Sequence, residues 1–164
     1  MSTTQVVVFL FYNARFHVRF FYNTNGGIMQ ITLIKSNDAT ATLAYRIART
    51  VYAQSGAKSL LGVQALTSMI KNISDKSGRQ ISDIVCDEKI FPVLSSAHPN
   101  HERLKDNADT RAMQMCVRVA TRMLKGVLDD CCYGATIFHP SDTLPSWATC
   151  RGYIADIDDM LFYL

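Results

Sequence analysis

The sequence predicts an α+β domain that is mainly helical and ends in a small antiparallel sheet. Apolar residues recur at helical spacing from about residue 38 to residue 86 and again over residues 109–128, whereas residues 133–164 are rich in β-branched and aromatic side chains. Because the helices come first and the strands last, the two kinds of element should segregate within one domain. An apolar content of 48% against 19% charged residues gives the 164-residue chain enough material for one core and argues against disorder.

The first helix is expected to begin after Asn37 or Asp38, either of which can cap a helix, and to end at Gly56. Its apolar face consists of Leu43, Ala44, Ile47, Ala48, Val51 and Tyr52. Ser59 can cap a second helix that ends near Gly78. The apolar face of that helix consists of Leu60, Val63, Leu66, Thr67, Ile70 and Ile73.

The segment "RQISDIVC" predicts a short third helix, after which residues 87–107 lose periodicity and contain two prolines. We therefore expect a long surface loop of the kind that often carries function. Helical spacing returns in "DTRAMQMCVRVATRMLKGVL". Its apolar side consists of Met113, Cys116, Val117, Ala120, Met123, Leu124 and Val127. The segments "YGATIFH" and "GYIADIDDMLFYL" predict the strands, and Pro140 and Pro145 bracket a turn between them.

Residues 1–28 differ in composition from residues 29–164, which form the predicted domain. They hold five of the eight phenylalanines and no acid, and the apolar run from Val6 to Tyr12 is far shorter than the roughly 20 residues that span a bilayer. No secretory signal pattern is present. Two interpretations stay open: a β-hairpin packed on the domain, or residues that precede a biological start at Met29.

Charge and cysteine content restrict the function classes. The 17 basic and 14 acidic residues are spread thinly, without the basic run that a nucleic-acid groove requires, so nucleic acid is not expected as a partner. Five cysteines at irregular spacing favour reduced thiols over a disulfide framework. Glu88 and Glu102 are the only glutamates, against twelve aspartates.

Three groups of residues could carry chemistry. Gln54 lies at the C-terminal end of the first helix, a rigid position that suits a general acid, although the local pattern alone indicates a solvated amide beside a helix cap. A cysteine nucleophile would use Cys131 or Cys132 with His139 and Asp142, but nothing in the sequence brings these residues together. A zinc site would draw on His98, His101, Cys131, Cys132 and His139.

The zinc spacing is weak, so loop histidines and half-buried thiols are the simpler interpretation. We expect no metal and no cofactor. Trp147, beside Pro145, is either a platform on which a sugar stacks or a packing anchor.

Three segments resemble the SleB/CwlJ-type cell wall hydrolases, in the same order and with compatible gaps over residues 44–164. "ARTVYAQSGAKSLLGVQALTSMIKN" resembles the opening motif R-T-[IV]-Y-x-E-A-x-G-E-x, with its following glycine and apolar helix. "RMLKGVLDDCCYGATIFHPSDTLPSWA" resembles the A-x-x-A-L-x-G, D-P-T-x-G-A-x-x-[FY] and P-x-W-A segments. The terminal "IDDMLFYL" resembles the closing I-G-x-H-x-F-Y strand. This ordered set is more specific than any single motif.

The resemblance implies a lysozyme-like α+β domain that cleaves the glycan strands of peptidoglycan, as lytic transglycosylases do. The family's general acid and base, the glutamate of Y-x-E, falls on Gln54, and the second acid falls on Lys58, a charge reversal. The histidine of the closing strand is replaced by Met160, and the middle Q-F-[ST] signature is not recognisable. The family positions that match and imply substrate binding are Tyr52, Asn72, Gly134, Thr136, Phe138 and Trp147. Asp130, Ala135, Phe162 and Tyr163 also match.

Two function hypotheses follow. In the first, Glu88 or Glu102 has taken over proton transfer and the chain cleaves glycan strands. In the second, the chain is a catalytically silent relative that binds glycan or a protein partner. Wall cleavage requires export, so we expect the cell envelope for an active hydrolase and the cytoplasm otherwise. The sequence leaves the oligomeric state open.

Overall fold

The computed structural model describes the backbone of residues 18–19, 32–33, 39–106 and 110–164, and the side chains of residues 42–106 and 110–164. Val18–Arg19 (β1) and Thr32–Leu33 (β2) pair as a two-residue antiparallel ribbon. The other residues of the segment 1–28 lie outside the described residues. The predicted start at Met29 and the predicted helix caps Asn37 and Asp38 also lie outside them. None of the described helices is long and apolar enough to cross a membrane.

The first two helices match their predicted boundaries. Helix α1 spans Ala39–Ser55 and is followed by Gly56 in the left-handed conformation, with φ of +65°. Helix α2 spans Leu60–Ser77 and begins at Ser59, whose hydroxyl accepts a hydrogen bond from the Gly62 amide. Gly78 ends α2 with φ of +70°, a conformation that glycine adopts without steric cost.

Helices α3 (Ile81–Ile84) and α4 (Arg111–Leu124) complete the helical part. Helix α1 packs along α4 and also contacts α2. The largest fully buried aliphatic side chains of this bundle are Ile47, Leu66, Met69, Ile70, Ile84 and Met113. The predicted apolar faces are wrong at two residues. Val127 lies beyond the end of α4 and is 55% exposed, and Leu60 on the first turn of α2 is 51% exposed.

The segment predicted as a surface loop is more ordered and more buried than expected. Two 3₁₀ turns, Pro92–Leu94 and His101–Lys105, pack against α1. Phe91 and Val93 are fully buried. The segment lacks helical spacing because it is fixed by contacts with α1 and not by a periodic face of its own.

Three strands form the C-terminal antiparallel sheet in the order β3-β5-β4: Ile137–Pro140 (β3), Ala155–Ile157 (β4) and Met160–Tyr163 (β5). Strand β5 is central, with Phe162 paired to Phe138 on one side and Ala155 on the other. The sheet buries these phenylalanines towards Phe91. The predicted mainly helical α+β architecture with a small C-terminal antiparallel sheet is confirmed.

The β4–β5 hairpin turns through Asp158 and Asp159, which have φ of +52° and +61°. Two consecutive positive φ values are the signature of a type I′ turn, which matches the twist of the flanking strands. The turn contacts the start of α2, where the Ser59 hydroxyl donates to Asp158 Oδ2 at 2.7 Å. Lys58 forms an exposed ion pair with Asp159 at 3.0 Å. The sheet is thereby fastened to the helical part.

Candidate functional site

Gln54, one residue before the end of α1, is a buried side chain with a defined partner. It is 9% exposed, and its Oε1 accepts a hydrogen bond from the Val93 amide at 3.3 Å. The local pattern predicts a solvated amide at residue 54, and this prediction is therefore wrong. The Gln54 side chain ties the Pro92–Leu94 turn to the end of α1.

Further contacts fasten residues 92–106 to α1. His101 Nδ1 lies 3.1 Å from the Val93 carbonyl oxygen, and because a carbonyl only accepts, Nδ1 donates. The Arg49 guanidinium donates to the Leu104 carbonyl. A Cβ atom at Gly56 would lie 2.6 Å from Arg103 Nη1, so the Arg103 guanidinium lies directly on the turn that follows α1. The segment thus covers the end of the helix where Gln54 lies.

Tyr52 meets a carboxylate that the sequence did not predict. Its hydroxyl donates to Asp106 Oδ2 at 2.8 Å. This hydrogen bond raises the pKa of Tyr52, and burial and the negative charge of Asp106 raise it further, while the nearby Arg103 charge opposes them. The signal for Asp106 was only its membership of the polar run "HERLKDN", which cannot specify which residue reaches α1.

The two glutamates are poorly suited to replace a general acid. Glu102 is exposed and paired with Lys105 at 2.9 Å. The hydrogen bond from Lys105 and its positive charge lower the pKa of Glu102, whereas a general acid needs a pKa raised towards neutrality. Glu88 is exposed on the segment before the Pro92–Leu94 turn. Neither glutamate borders the groove that β3 forms with residues 89–92.

That groove has a volume of about 300 Å³. Its lining consists of Lys89, Ile90, Pro92, Thr136, Ile137, Phe138, His139, Pro140, Thr143, Pro145 and Trp147. Of the residues predicted to bind substrate, Thr136, Phe138 and Trp147 lie in this lining, whereas Tyr52, Asn72 and Gly134 do not. Gln54 is not in this lining, but it binds the amide of Val93, which directly follows the lining residue Pro92. Among the described residues, no aspartate or glutamate lines the groove.

An aromatic cluster holds Trp147 at the edge of the groove. The indole ring packs edge-on against His139 at 5.5 Å and against Tyr163 at 5.2 Å between centroids, and those two rings stack at 5.3 Å. His139 Nδ1 donates to the Pro140 carbonyl at 2.7 Å, and Nε2 lies 2.9 Å from the Tyr163 hydroxyl. Trp147 is half-buried, so it anchors this corner and still presents ring surface to the groove. The sequence did not predict that His139 and Tyr163 support Trp147, because the contact between these two residues depends on the register of β3 and β5.

Asn72 and Gly134 form hydrogen bonds that stabilise the loop before β3, and they do not line the groove. Asn72 Nδ2 donates to Asp130 Oδ2 and to the Ala135 carbonyl, each at 3.2 Å. Asp130 accepts from the amides of Gly134 at 2.6 Å and Cys132 at 3.0 Å. Gly134 has φ of +79°. These bonds fix the loop that leads into β3.

The environment of Asp130 explains its ionisation. Burial acts to raise the pKa of Asp130, but the hydrogen bonds from Cys132, Gly134 and Asn72 together outweigh it and lower the pKa. The carboxylate is therefore charged at neutral pH and holds the loop as an acceptor.

The structure contradicts the cysteine-nucleophile interpretation. Burial is the largest cause that raises the pKa of Cys131 and of Cys132, and the charge of Asp130 adds to it, so both thiols stay protonated at neutral pH. His139 is hydrogen-bonded to Tyr163 and Pro140 and not to either thiol.

The structure also does not assemble the zinc alternative. His98 Nδ1 accepts from the Asn100 amide at 3.1 Å, and His101 and His139 have the carbonyl partners given above. In the part of the chain that the structure describes, no three His, Cys, Asp or Glu side chains are grouped to hold a metal ion.

The fold is similar to two solved catalytic domains. One is the catalytic domain of the Bacillus cereus SleB protein, with a TM-score of 0.59 and 17% sequence identity over 79% of this chain and 94% of that one. The other is the catalytic domain of the germination-specific lytic transglycosylase SleB from Bacillus anthracis, with the same TM-score and identity over 80% of this chain and 100% of that one.

No sequence-family profile matches the chain, and no curated protein sequence matches it significantly. The SleB-type fold expected from the ordered motifs is confirmed by the two structures.

Proposed function

We propose that this chain is a catalytically silent domain of the SleB type that binds the glycan strands of peptidoglycan in the groove between β3 and residues 89–92. The observation that carries the proposal is the state of Gln54. The position at which the related motif has its general acid is occupied by a buried amide whose oxygen is already used by the Val93 amide.

The chemistry of glycan cleavage supports this interpretation. A carboxyl group protonates the glycosidic oxygen and then recovers a proton from the attacking hydroxyl or water. An amide can do neither near neutral pH, and the loss of one general acid typically costs about a hundred- to ten-thousandfold in rate. The described lining of the groove offers no carboxyl group as a replacement.

The groove itself is suited to carbohydrate. The Trp147 ring, fixed by His139 and Tyr163, offers a flat apolar surface against which the C–H face of a sugar can pack. Thr136 and Thr143 lie in the same lining. The Thr143 hydroxyl already donates to the Pro140 carbonyl at 3.0 Å, so it can accept a hydrogen bond from a sugar hydroxyl but has no proton left to donate. A mostly apolar concave site with a few polar groups is the usual form of a ligand site.

The test uses purified peptidoglycan sacculi and the full chain. We expect the chain to sediment with sacculi and to release no soluble glycan fragments, and we expect Trp147→Ala to sediment less. Gln54→Glu serves as the comparison that restores a carboxyl group at the family position. Fragment release by the unsubstituted chain would overturn the silent assignment, and failure to sediment would overturn binding.

The active alternative has one specific observation in its favour, the carboxylate of Asp106 on Tyr52. If the unsubstituted chain does release fragments, Asp106→Asn and Glu102→Gln separate the candidate proton donors. Loss of release in Asp106→Asn alone would assign proton transfer to the Tyr52–Asp106 pair.

A further inference from the structure

Lys89 gives the groove a positive charge that forms no ion pair among the described residues. It is the only lysine, arginine, aspartate or glutamate in the described lining, and it is exposed on the segment just before Ile90 and Pro92. The other titratable group of the lining, His139, has both ring nitrogens within hydrogen-bond distance of partners. The groove therefore combines an apolar aromatic wall with one ammonium group.

Two acids, Asp87 and Glu88, directly precede Lys89, and neither forms an ion pair with its ammonium among the described residues. Asp87 Oδ1 accepts from the Lys89 backbone amide at 3.0 Å, but Asp87 Oδ2 forms an ion pair with Arg79 at 2.8 Å. The Arg79 hydrogen bond is the main cause that lowers the pKa of Asp87, and the Lys89 charge contributes least. The described ion pairs of the chain do not include the Lys89 ammonium.

An ammonium beside an apolar sugar platform selects an anionic sugar. A carboxylate on the ring that packs on Trp147 would receive a charge-assisted hydrogen bond from Lys89, which is stronger than a bond to a neutral oxygen. Neutral sugars would leave this ammonium with water only. The cavity of about 300 Å³ is at the small end of ligand sites, which suits a sugar better than a sugar with a bulky substituent.

We propose that the groove selects glycan strands whose muramic acid residues carry a free lactyl carboxylate, with Lys89 as the residue that recognises it. This inference rests on the proposed glycan binding. In peptide-substituted strands the lactyl carboxyl is an amide and carries no charge, whereas hydrolysis of that amide bond consumes water and frees the carboxylate and the peptide amine. The reaction that supplies the preferred ligand is therefore an amide hydrolysis that strips peptides from the strand.

The experiment compares the binding of the full chain to two soluble glycan preparations. One consists of peptide-free strands with free carboxylates, and the other consists of the same strands after carbodiimide coupling to methylamine, which converts each carboxylate into a neutral amide. We expect the free-acid strands to bind about three- to tenfold more tightly at low salt, with the difference shrinking as salt is raised.

Lys89→Gln should abolish the difference in affinity between the free-acid strands and the amidated strands. Lys71→Gln is the matched control, because Lys71 is a half-buried lysine on α2 that pairs with Asp75 and does not border the groove. Trp147→Ala should weaken binding to both preparations equally, since it removes the aromatic ring on which the sugars of both preparations would pack. Circular dichroism verifies that each variant is folded.

Equal affinity for the two preparations, or an unchanged preference in Lys89→Gln, overturns the role of Lys89. If both preparations bind equally, glycan binding stands and only the selectivity fails. If neither preparation binds, both proposals fail.

Discussion

Glutamine and glutamate have nearly the same shape, so the substitution at residue 54 changes proton chemistry more than packing. The Gln54 oxygen accepts from Val93, and the turn held in this way contributes Pro92 to the groove. The side chain that corresponds to the acid of the resembling motif thus makes a structural contact. Its truncation is expected to affect folding as well as the shape of the groove.

We predict that Gln54→Ala lowers the free energy of unfolding by about 1–3 kcal/mol, because it leaves the buried Val93 amide without its acceptor. Gln54→Glu keeps an acceptor at the same place and should cost less. Urea unfolding followed by circular dichroism measures both. Gln64→Ala is the control, since Gln64 is a half-buried residue of α2 whose side chain has no hydrogen-bond partner among the described residues. Equal losses at 54 and 64 would contradict this role of Gln54.

At the residue scale, ordered motifs located more of the site than composition did. The local pattern placed Gln54 at the end of a helix, and the motif resemblance assigned six residues to substrate binding. Three of them, Thr136, Phe138 and Trp147, line the groove, whereas Tyr52, Asn72 and Gly134 do not. The role proposed for Lys89 was not predicted from the sequence, because it depends on the groove that β3 forms with residues 89–92 and on the pairing of Asp87 with Arg79. Such contacts join residues through tertiary packing that no local pattern encodes.

At the element scale, the hairpin turn and the start of α2 are coupled through one close approach. A Cβ atom at Gly62 would lie 2.1 Å from Asp158 Oδ2 and 3.1 Å from Asp158 Cβ. The Asp158 carboxylate also accepts from Ser59, so it cannot move away without the loss of that bond. Glycine at position 62 therefore allows β4 and β5 to dock on the helix.

We predict that Gly62→Ala destabilises the fold by about 1–3 kcal/mol through overpacking. Asp158→Gly, which removes the clashing side chain and suits the positive φ, should restore part of the loss when combined with Gly62→Ala. Thermal unfolding of the two single variants and the double variant gives the coupling energy. Gly152→Ala, where a Cβ atom would meet nothing within 4 Å, is the control. Strict additivity of positions 62 and 158 would refute the proposed contact.

The loop before β3 is the second element with a testable support. Asp130→Asn replaces a charged acceptor of two backbone amides by an amide group, and because Asp130 is exposed we expect a loss of about 0.5–1.5 kcal/mol. The lowered pKa of Asp130 means that its contribution is present above the ordinary carboxyl pKa and is lost as the pH falls through the lower folded value.

The stability gap between the original chain and Asp130→Asn should therefore narrow in acid. Chemical denaturation at pH 7 and at pH 3 measures this gap. Asp129→Asn is the neighbouring control, because Asp129 is equally exposed but, among the described contacts, only its backbone carbonyl is hydrogen-bonded, to Ser68. A gap that stays constant with pH would contradict the role of the Asp130 charge.

At the scale of the whole molecule, the helices were predictable because their apolar faces repeat locally, as in α1 and α2. The arrangement of residues 87–106 was not, because Phe91 and Val93 are buried by contacts with distant elements and carry no periodic signal. The strands were predicted as a sheet, but the central position of β5 follows from pairing partners that are far apart in the chain. Local patterns were thus sufficient to predict the helices and strands, whereas the shape of the groove depends on tertiary contacts.

The buried thiols predict how the whole molecule responds to alkali. Burial raises the pKa of Cys116 on α4 to about 12, against an ordinary thiol value of 9.0. Between these values the unfolded thiol loses its proton while the folded one keeps it, so stability present below pH 9 falls as the pH rises towards 12. The slope for one such group is about 1.4 kcal/mol per pH unit.

Cys116→Ala should therefore have a shallower decline of unfolding free energy between pH 9 and pH 11 than the original chain. Urea titrations under reducing conditions at several pH values give the two slopes, and the exposed Cys150→Ala is the control that should leave the slope unchanged. Identical slopes for the original chain and Cys116→Ala would exclude Cys116 as a source of alkaline sensitivity.

The hydrogen bond between Gln54 and Val93 also provides a spectroscopic probe. The Val93 amide proton is held by a side chain and follows directly after Pro92 in the groove wall. Its chemical shift in a ¹⁵N-labelled sample should respond when the groove is filled, and its exchange with deuterium should quicken when Gln54 is truncated. One resonance would then report both on ligand entry into the groove and on the integrity of the Gln54–Val93 contact.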